Sequence, residues 1–156
     1  MRYIQNIVLL LACLGSLLLA SHADVYQNIS RKYKIPPYVL KGILKVEGVG
    51  LDTKWNKDYP SHHAYGPTQM TCIAVKELGY IKTCNRNNSY RVKDYKYAEH
   101  LLTGVKGVEM GAKYLNHIKK QYHLPTWGSV VRTYNQGYGG RNNRNAYAYQ
   151  KKTGVK

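Results

Sequence analysis

The stretch Pro37-Tyr38-Val39-Leu40-Lys41-Gly42-Ile43-Leu44-Lys45-Val46-Glu47-Gly48-Val49-Gly50 carries an apolar line through Leu40, Ile43 and Leu44 and ends that line on a carboxylate, Glu47. A repeat of three to four residues is one face of an α-helix. Pro37 suits the first helical position, where its missing N–H would have no partner anyway, and Gly48 and Gly50 stop the helix. A carboxyl group in line with an apolar stripe is expected to lose water, which disfavours its charged form and raises its pKa. A carboxyl still protonated near neutral pH is what a general acid requires. Periodicity alone also fits an exposed Glu47 at the helix end with no role, and both readings stand at this point.

Outward from this helix the chain reads helical almost throughout. Val25 to Lys34 predicts a short helix ended by Ile35-Pro36-Pro37, and the turn formers and charges of Leu51 to Gly66 predict a loop. A helix is expected from about Gln69 to Leu78, with Gly79 as its cap, followed by a polar loop over residues 80 to 95. The longest periodic segment runs from Ala98 to Tyr122. Gly104, Gly107 and Gly111 predict a break in it near 104 to 107 and a close helix contact at 111, because glycine is costly inside a helix. Trp127 to Tyr134 and Asn145 to Lys152 complete a mainly α domain of six or seven helices with little or no sheet.

Residues 1–23 have the form of an export signal: Arg2, an apolar run from Ile7 to Ala20, and the small-residue site Ser21-His22-Ala23. The run is shorter than the roughly 20 residues a membrane span needs, so cleavage is expected and no transmembrane span in the mature chain. Residues 24–156 then form one domain, periplasmic or secreted. Removing Arg2 with the signal leaves 23 basic against 8 acidic residues, a net charge of +15. Such a balance predicts attraction to a polyanion without choosing among nucleic acid, anionic lipid and a carboxylate-rich wall.

Cys72 and Cys84 are the cysteines left after cleavage, and an exported pair is expected to be bridged. His62 and His63 precede Cys72, but no spacing matches a zinc site, so neither metal nor another cofactor is expected. The chain has 16 tyrosines and no phenylalanine. A ring with a hydroxyl suits a sugar-binding groove, as well as core and rim.

Four segments in order, Val46-Glu47-Gly48-Val49-Gly50, Tyr65-Gly66-Pro67-Thr68-Gln69-Met70, Gly111-Ala112-Lys113-Tyr114-Leu115 and Thr133-Tyr134-Asn135-Gln136-Gly137, resemble the motif set of soluble lytic transglycosylases. The resemblance is closest to small exported members that accompany conjugation and secretion machines, and it covers about Ile35 to Tyr149. It implies a lysozyme-like fold of the goose-lysozyme type and a monomer acting on peptidoglycan glycan strands. It assigns the catalytic acid/base to Glu47 and substrate binding to Gln69, Met70, Tyr134 and Asn135, with Tyr147 as the carboxy-terminal tyrosine that closes the groove. Gly48 departs from a frequent serine, Thr68 from methionine, and Thr133 and Gln136 from alanines.

The family mechanism fits a chain poor in acids. Ordinary glycosidases use two carboxylates, whereas one glutamic acid suffices to cut the bond between N-acetylmuramic acid and N-acetylglucosamine and close a 1,6-anhydro ring. Asp52 or Asp58 as a second carboxylate would instead give lysozyme-like hydrolysis. Two further readings compete: a non-catalytic cationic wall-binding protein, and a nucleic-acid binder using Arg141-Asn142-Asn143-Arg144 with Tyr147 and Tyr149. Export and the lack of any nucleic-acid-binding signature disfavour the last.

Overall fold

Helices follow one another along nearly the whole of the computed structural model, which describes residues 24–47 and 63–156. Helix α1 (24–32) leads through Ile35 and Pro36 into α2 (Pro37–Glu47), which begins at the expected proline. A two-stranded antiparallel hairpin follows, β1 (Ala64–Tyr65) and β2 (Met70–Thr71), with Ala64 opposite Thr71 and Tyr65 opposite Met70. Then come α3 (Cys72–Glu77), a 3-10 turn at Val92–Asp94, α4 (Tyr95–Leu102), α5 (Gly104–Gln121), α6 (Trp127–Gly140) and α7 (Arg144–Thr153). The mainly helical expectation holds. The export signal, Gly48, Gly50, Asp52, Asp58 and His62 lie outside the described residues.

Two boundaries differ from the sequence reading, each for a local reason. Gln69 and Met70 are not helical: Gly66 at φ 79° and Gln69 at φ 46° turn the chain back, so Gln69 sits in the hairpin turn and Met70 in β2. The helix starts three residues later, where the Thr71 hydroxyl accepts from the N–H of Ala74 at 3.3 Å and caps α3. The break in the long periodic segment falls where it is expected, at Thr103, which is extended, and Gly104, at φ 61°. Finally, α6 continues past Tyr134 to Gly140, interrupted at Gly137 by a non-helical φ of 70° and ψ of 170°.

The core is made by the expected stripes. Val39, Leu40 and Ile43 of α2 meet Val75 of α3, Leu102 of α4, Val108, Leu115 and Ile118 of α5, and Val130 and Val131 of α6, all without solvent exposure. Each such side chain contributes roughly 1.5–3 kcal/mol by leaving water.

Two close approaches position the rest. The hairpin turn lies on α5, where a Cβ at Gly107 would stand 2.0 Å from the Leu102 carbonyl oxygen and 2.7 Å from Pro67, and one at Gly111 would strike the Thr68 side chain at 2.6 Å. Thr68 is fully buried there and its hydroxyl donates to the Gly107 carbonyl at 2.9 Å. The contact at Gly111 is thus with the hairpin rather than with another helix. On the other side of α2, a Cβ at Gly42 would stand 2.5 Å from the Thr153 carbonyl oxygen, so α7 runs backbone-close along α2.

The expected disulfide is present: Cys72, at the start of α3, is bonded to Cys84 with Cα atoms 6.0 Å apart. The segment that continues past Cys84 is anchored again by Tyr90, fully buried, whose hydroxyl donates to the Met70 carbonyl at 2.8 Å.

Gly107→Ala is expected to lower stability by about 1–3 kcal/mol, because the added methyl meets backbone that cannot yield, and this outweighs the helix-forming advantage of alanine. An unchanged melting temperature would refute the close approach of Gly107 to the end of α4 and the hairpin. Reduction of Cys72–Cys84 is expected to cost about 3 kcal/mol, read as an earlier midpoint in urea with the helical circular dichroism signal retained before the transition.

Candidate active site

Glu47 is the last residue of α2, continuing the line of Leu40 and Ile43, and it is half-buried. The contact of Gly42 with Thr153 sets what it meets. Helices α2 and α7 run in opposite directions there, so about one turn beyond Gly42 lies Glu47 and one turn before Thr153 lies Tyr149. The Tyr149 hydroxyl donates to Glu47 Oε1 at 2.5 Å. Burial raises the Glu47 pKa above its ordinary 4.5, and the Tyr149 hydrogen bond, which favours the carboxylate, offsets only part of that rise. Tyr149 itself is pushed far up, first by burial and then by the charge of Glu47, so its hydroxyl keeps its proton and remains a donor.

Tyr134 forms the adjacent wall. Its hydroxyl donates to the Thr68 carbonyl and lies 3.6 Å from Met70 Sδ, which ties α6 to the hairpin turn. Burial raises its pKa well above the ordinary value, and the charge of Glu47 raises it further, which places the phenol within the field of the carboxyl. Tyr114 of α5 packs against it with ring centroids 5.7 Å apart and donates to Glu77 Oε2 at 3.0 Å. Gln69 Nε2 donates to the Gly66 carbonyl at 2.8 Å, so part of this amide braces the turn. Asn135, half-buried beside Tyr134, accepts through Oδ1 from Gln136 Nε2 at 2.7 Å.

The fold therefore brings Glu47, Tyr134, Gln69 and Met70 into one neighbourhood with Asn135 at its edge. It does not bring Tyr147 there. Tyr147 is 51% exposed and its ring lies under the Arg132 guanidinium at 4.4 Å, while the tyrosine against Glu47 is Tyr149. The distinction was readable: Ala146, Tyr149 and Thr153 are three and four residues apart and form the buried line of α7, and Tyr147 falls off it. Thr68 was also passed over as a mere departure from methionine, although it joins α5, the turn and Tyr134.

Two other described acids are engaged elsewhere. Glu109 accepts from Lys32 Nζ at 2.5 Å and from the Tyr33 hydroxyl at 2.9 Å, and Asp94 pairs with Arg91 at 2.9 Å. Among the described residues no group of three His, Cys, Asp or Glu side chains gathers as a metal site, and no helix is long and apolar enough to cross a membrane.

Comparison with curated proteins and with solved structures gives no match. The family model of the transglycosylase SLT domain matches residues 24–155, which takes in every described element. The chain therefore belongs to the transglycosylase SLT domain family, a family of lytic transglycosylases that act on peptidoglycan outside the cytoplasm.

Proposed function

We propose that residues 24–156 form a single exported domain that cleaves the β-1,4 bond between N-acetylmuramic acid and N-acetylglucosamine and leaves a 1,6-anhydromuramic end. The observation that carries this is the half-buried carboxyl of Glu47 with the Tyr149 hydroxyl as its donor. Burial keeps a proton on Glu47 at a pH where an exposed carboxyl has lost it. That proton goes to the glycosidic oxygen as the bond to the muramic C1 breaks. The carboxylate so formed is stabilised by the Tyr149 hydroxyl, then takes the proton of the muramic C6 hydroxyl, whose oxygen closes on C1. No water enters, so no second carboxylate is needed.

Gln69, Met70, Tyr134 and Asn135 line the glycan groove in this reading. Tyr134 acts chiefly through position, since its hydroxyl is taken by Thr68 and its ring holds the wall beside Glu47. The side-chain amide of Asn135 supplies a donor for a sugar N-acetyl or hydroxyl group. Local wall opening for a secretion or conjugation apparatus is the process that suits a small exported member of this kind.

Glu47→Gln is expected to abolish release of anhydromuramic products from purified peptidoglycan, as read by mass spectrometry of the soluble fraction. Reducing-end products that vanish in the variant would instead make the protein a hydrolase and direct attention to Asp52 and Asp58. Intact wall binding with no release by either protein would make it a binding module. The same variant has a stability signature. A carboxyl whose folded pKa is raised binds its proton more tightly in the folded state, so its contribution is full below pH 4.5 and is lost as pH rises above that value. Glu47→Gln should therefore match the parent in melting temperature near pH 4 and exceed it at pH 7.

Tyr149→Phe removes a hydrogen bond that lowers the Glu47 pKa. The alkaline limb of the pH–rate profile is expected to move to higher pH, while kcat falls roughly 10- to 100-fold as the acid loses its orientation. A limb that stays in place would show that Tyr149 does not address the catalytic proton.

A further inference from the structure

Arg141 stands at the corner where Arg141-Asn142-Asn143-Arg144 joins α6 to α7. Its side chain is held twice: the guanidinium lies 3.8 Å from the centre of the Tyr138 ring, and Nη1 donates to the Tyr138 carbonyl at 2.5 Å. Tyr138 is itself stacked on Tyr122 of the α5 end, with ring centroids 4.4 Å apart and planes within 17°. The backbone is held too, since the Arg141 carbonyl accepts from Arg132 Nε at 3.0 Å and Arg132 is fixed by Gln150 at 2.5 Å. A long cationic side chain normally loses its rotamer freedom when it binds; here that loss has already been taken in folding.

Among the described residues no acid is paired with this cation. From Met110 to Lys156 the chain has nine Lys and Arg residues and no Asp or Glu. The ion pairs among the described residues, Lys32–Glu109 and Arg91–Asp94, are made by other groups. The remaining N–H groups of Arg141 thus form a planar donor edge, the geometry that matches a carboxylate with two parallel hydrogen bonds.

The corner also borders the candidate active site. Asn143 Nδ2 donates to Gln136 Oε1 at 3.2 Å, and Gln136 Nε2 donates to Asn135 Oδ1 at 2.7 Å, so the α6–α7 corner is hydrogen-bonded to a residue of the proposed groove edge. A glycan strand in that groove carries its peptide stems, and their free carboxylates, along its flank.

We propose that Arg141 is a carboxylate-recognition site that makes this protein favour glycan strands bearing peptide stems over bare ones. The inference rests on the peptidoglycan reading of the groove. Its test is separable from that reading because it measures binding rather than cleavage. In the Glu47→Gln background, dissociation constants are measured for soluble glycan strands with stems, for the same strands stripped by an amidase, and for stem-bearing strands whose carboxyls have been amidated. The intact strands are expected to bind about fivefold more tightly than either of the others, the scale of one exposed charge pair. Arg141→Ala should bring the ratio to about one, and Arg141→Lys should recover only part of it. Equal weakening of all strands by Arg141→Ala would overturn the proposal, and so would a preference that survives amidation, an arm that uses the unchanged corner. Arg141-dependent binding of duplex DNA or anionic vesicles, with no stem preference, would reassign the corner to a phosphate polymer and overturn it as well. Absence of anhydromuramic products from the Glu47 protein, with the stem preference intact, would sink the catalytic reading alone.

Discussion

A carboxyl group turned inward at the end of a helix is an expensive feature, and much of this fold is arranged around it. Loss of water penalises the ionised form of Glu47, and the hydrogen bond from Tyr149 offsets only part of that penalty. Its hydrogen-bond donor is a phenol, Tyr149. A cation would have pulled the pKa down and removed the proton that a general acid must hold. A phenol donates without charge, so it can stabilise the carboxylate once formed while leaving the acid form accessible. That choice fixes the packing: α7 must come close enough to α2 for the phenol to reach, and Gly42 against Thr153 is the place where the two backbones make room.

The second wall depends on a similar economy of space. The turn Gly66–Gln69 is seated on Gly107 and Gly111 of α5, and Thr68 uses both of its polar groups there: the hydroxyl on α5 and the carbonyl on Tyr134. A side chain at Gly111 would strike Thr68 and push the turn, and with it the Tyr134 phenol, away from α5. Three elements that share no sequence neighbourhood are thereby referred to one buried threonine.

Much of this was legible in the chain. The helical period of α2, the proline at its start, the stripe of α5 and the carboxylate in line with Leu40 and Ile43 are local properties, and the structure follows them. The hairpin was missed because its strands are two residues each, too short for alternation to register, and because the left-handed conformation of Gln69 leaves no mark in composition. Gly111 was read as a close contact, but its partner lies forty-three residues away and only the fold reveals it. Tyr149 is the instructive miss: periodicity along α7 already separated it from Tyr147, yet it was read as part of a basic, aromatic surface, the kind of averaging that hides which face a residue occupies.

The use of tyrosine without phenylalanine makes sense in the same terms. In this chain of 16 tyrosines the hydroxyls act as ties: Tyr90 to the Met70 carbonyl, Tyr134 to the Thr68 carbonyl, Tyr114 to Glu77, Tyr33 to Glu109 and Tyr149 to Glu47. A buried phenylalanine would supply the same apolar area at each place but no directional bond. With only 8 acidic residues against 24 basic ones in the chain, ion pairs such as Lys32–Glu109 can be few, and the surplus lysines repel one another. Phenols supply the missing direction. They do so without adding negative charge, and the two phenols described beside Glu47, Tyr149 and Tyr134, are neutral.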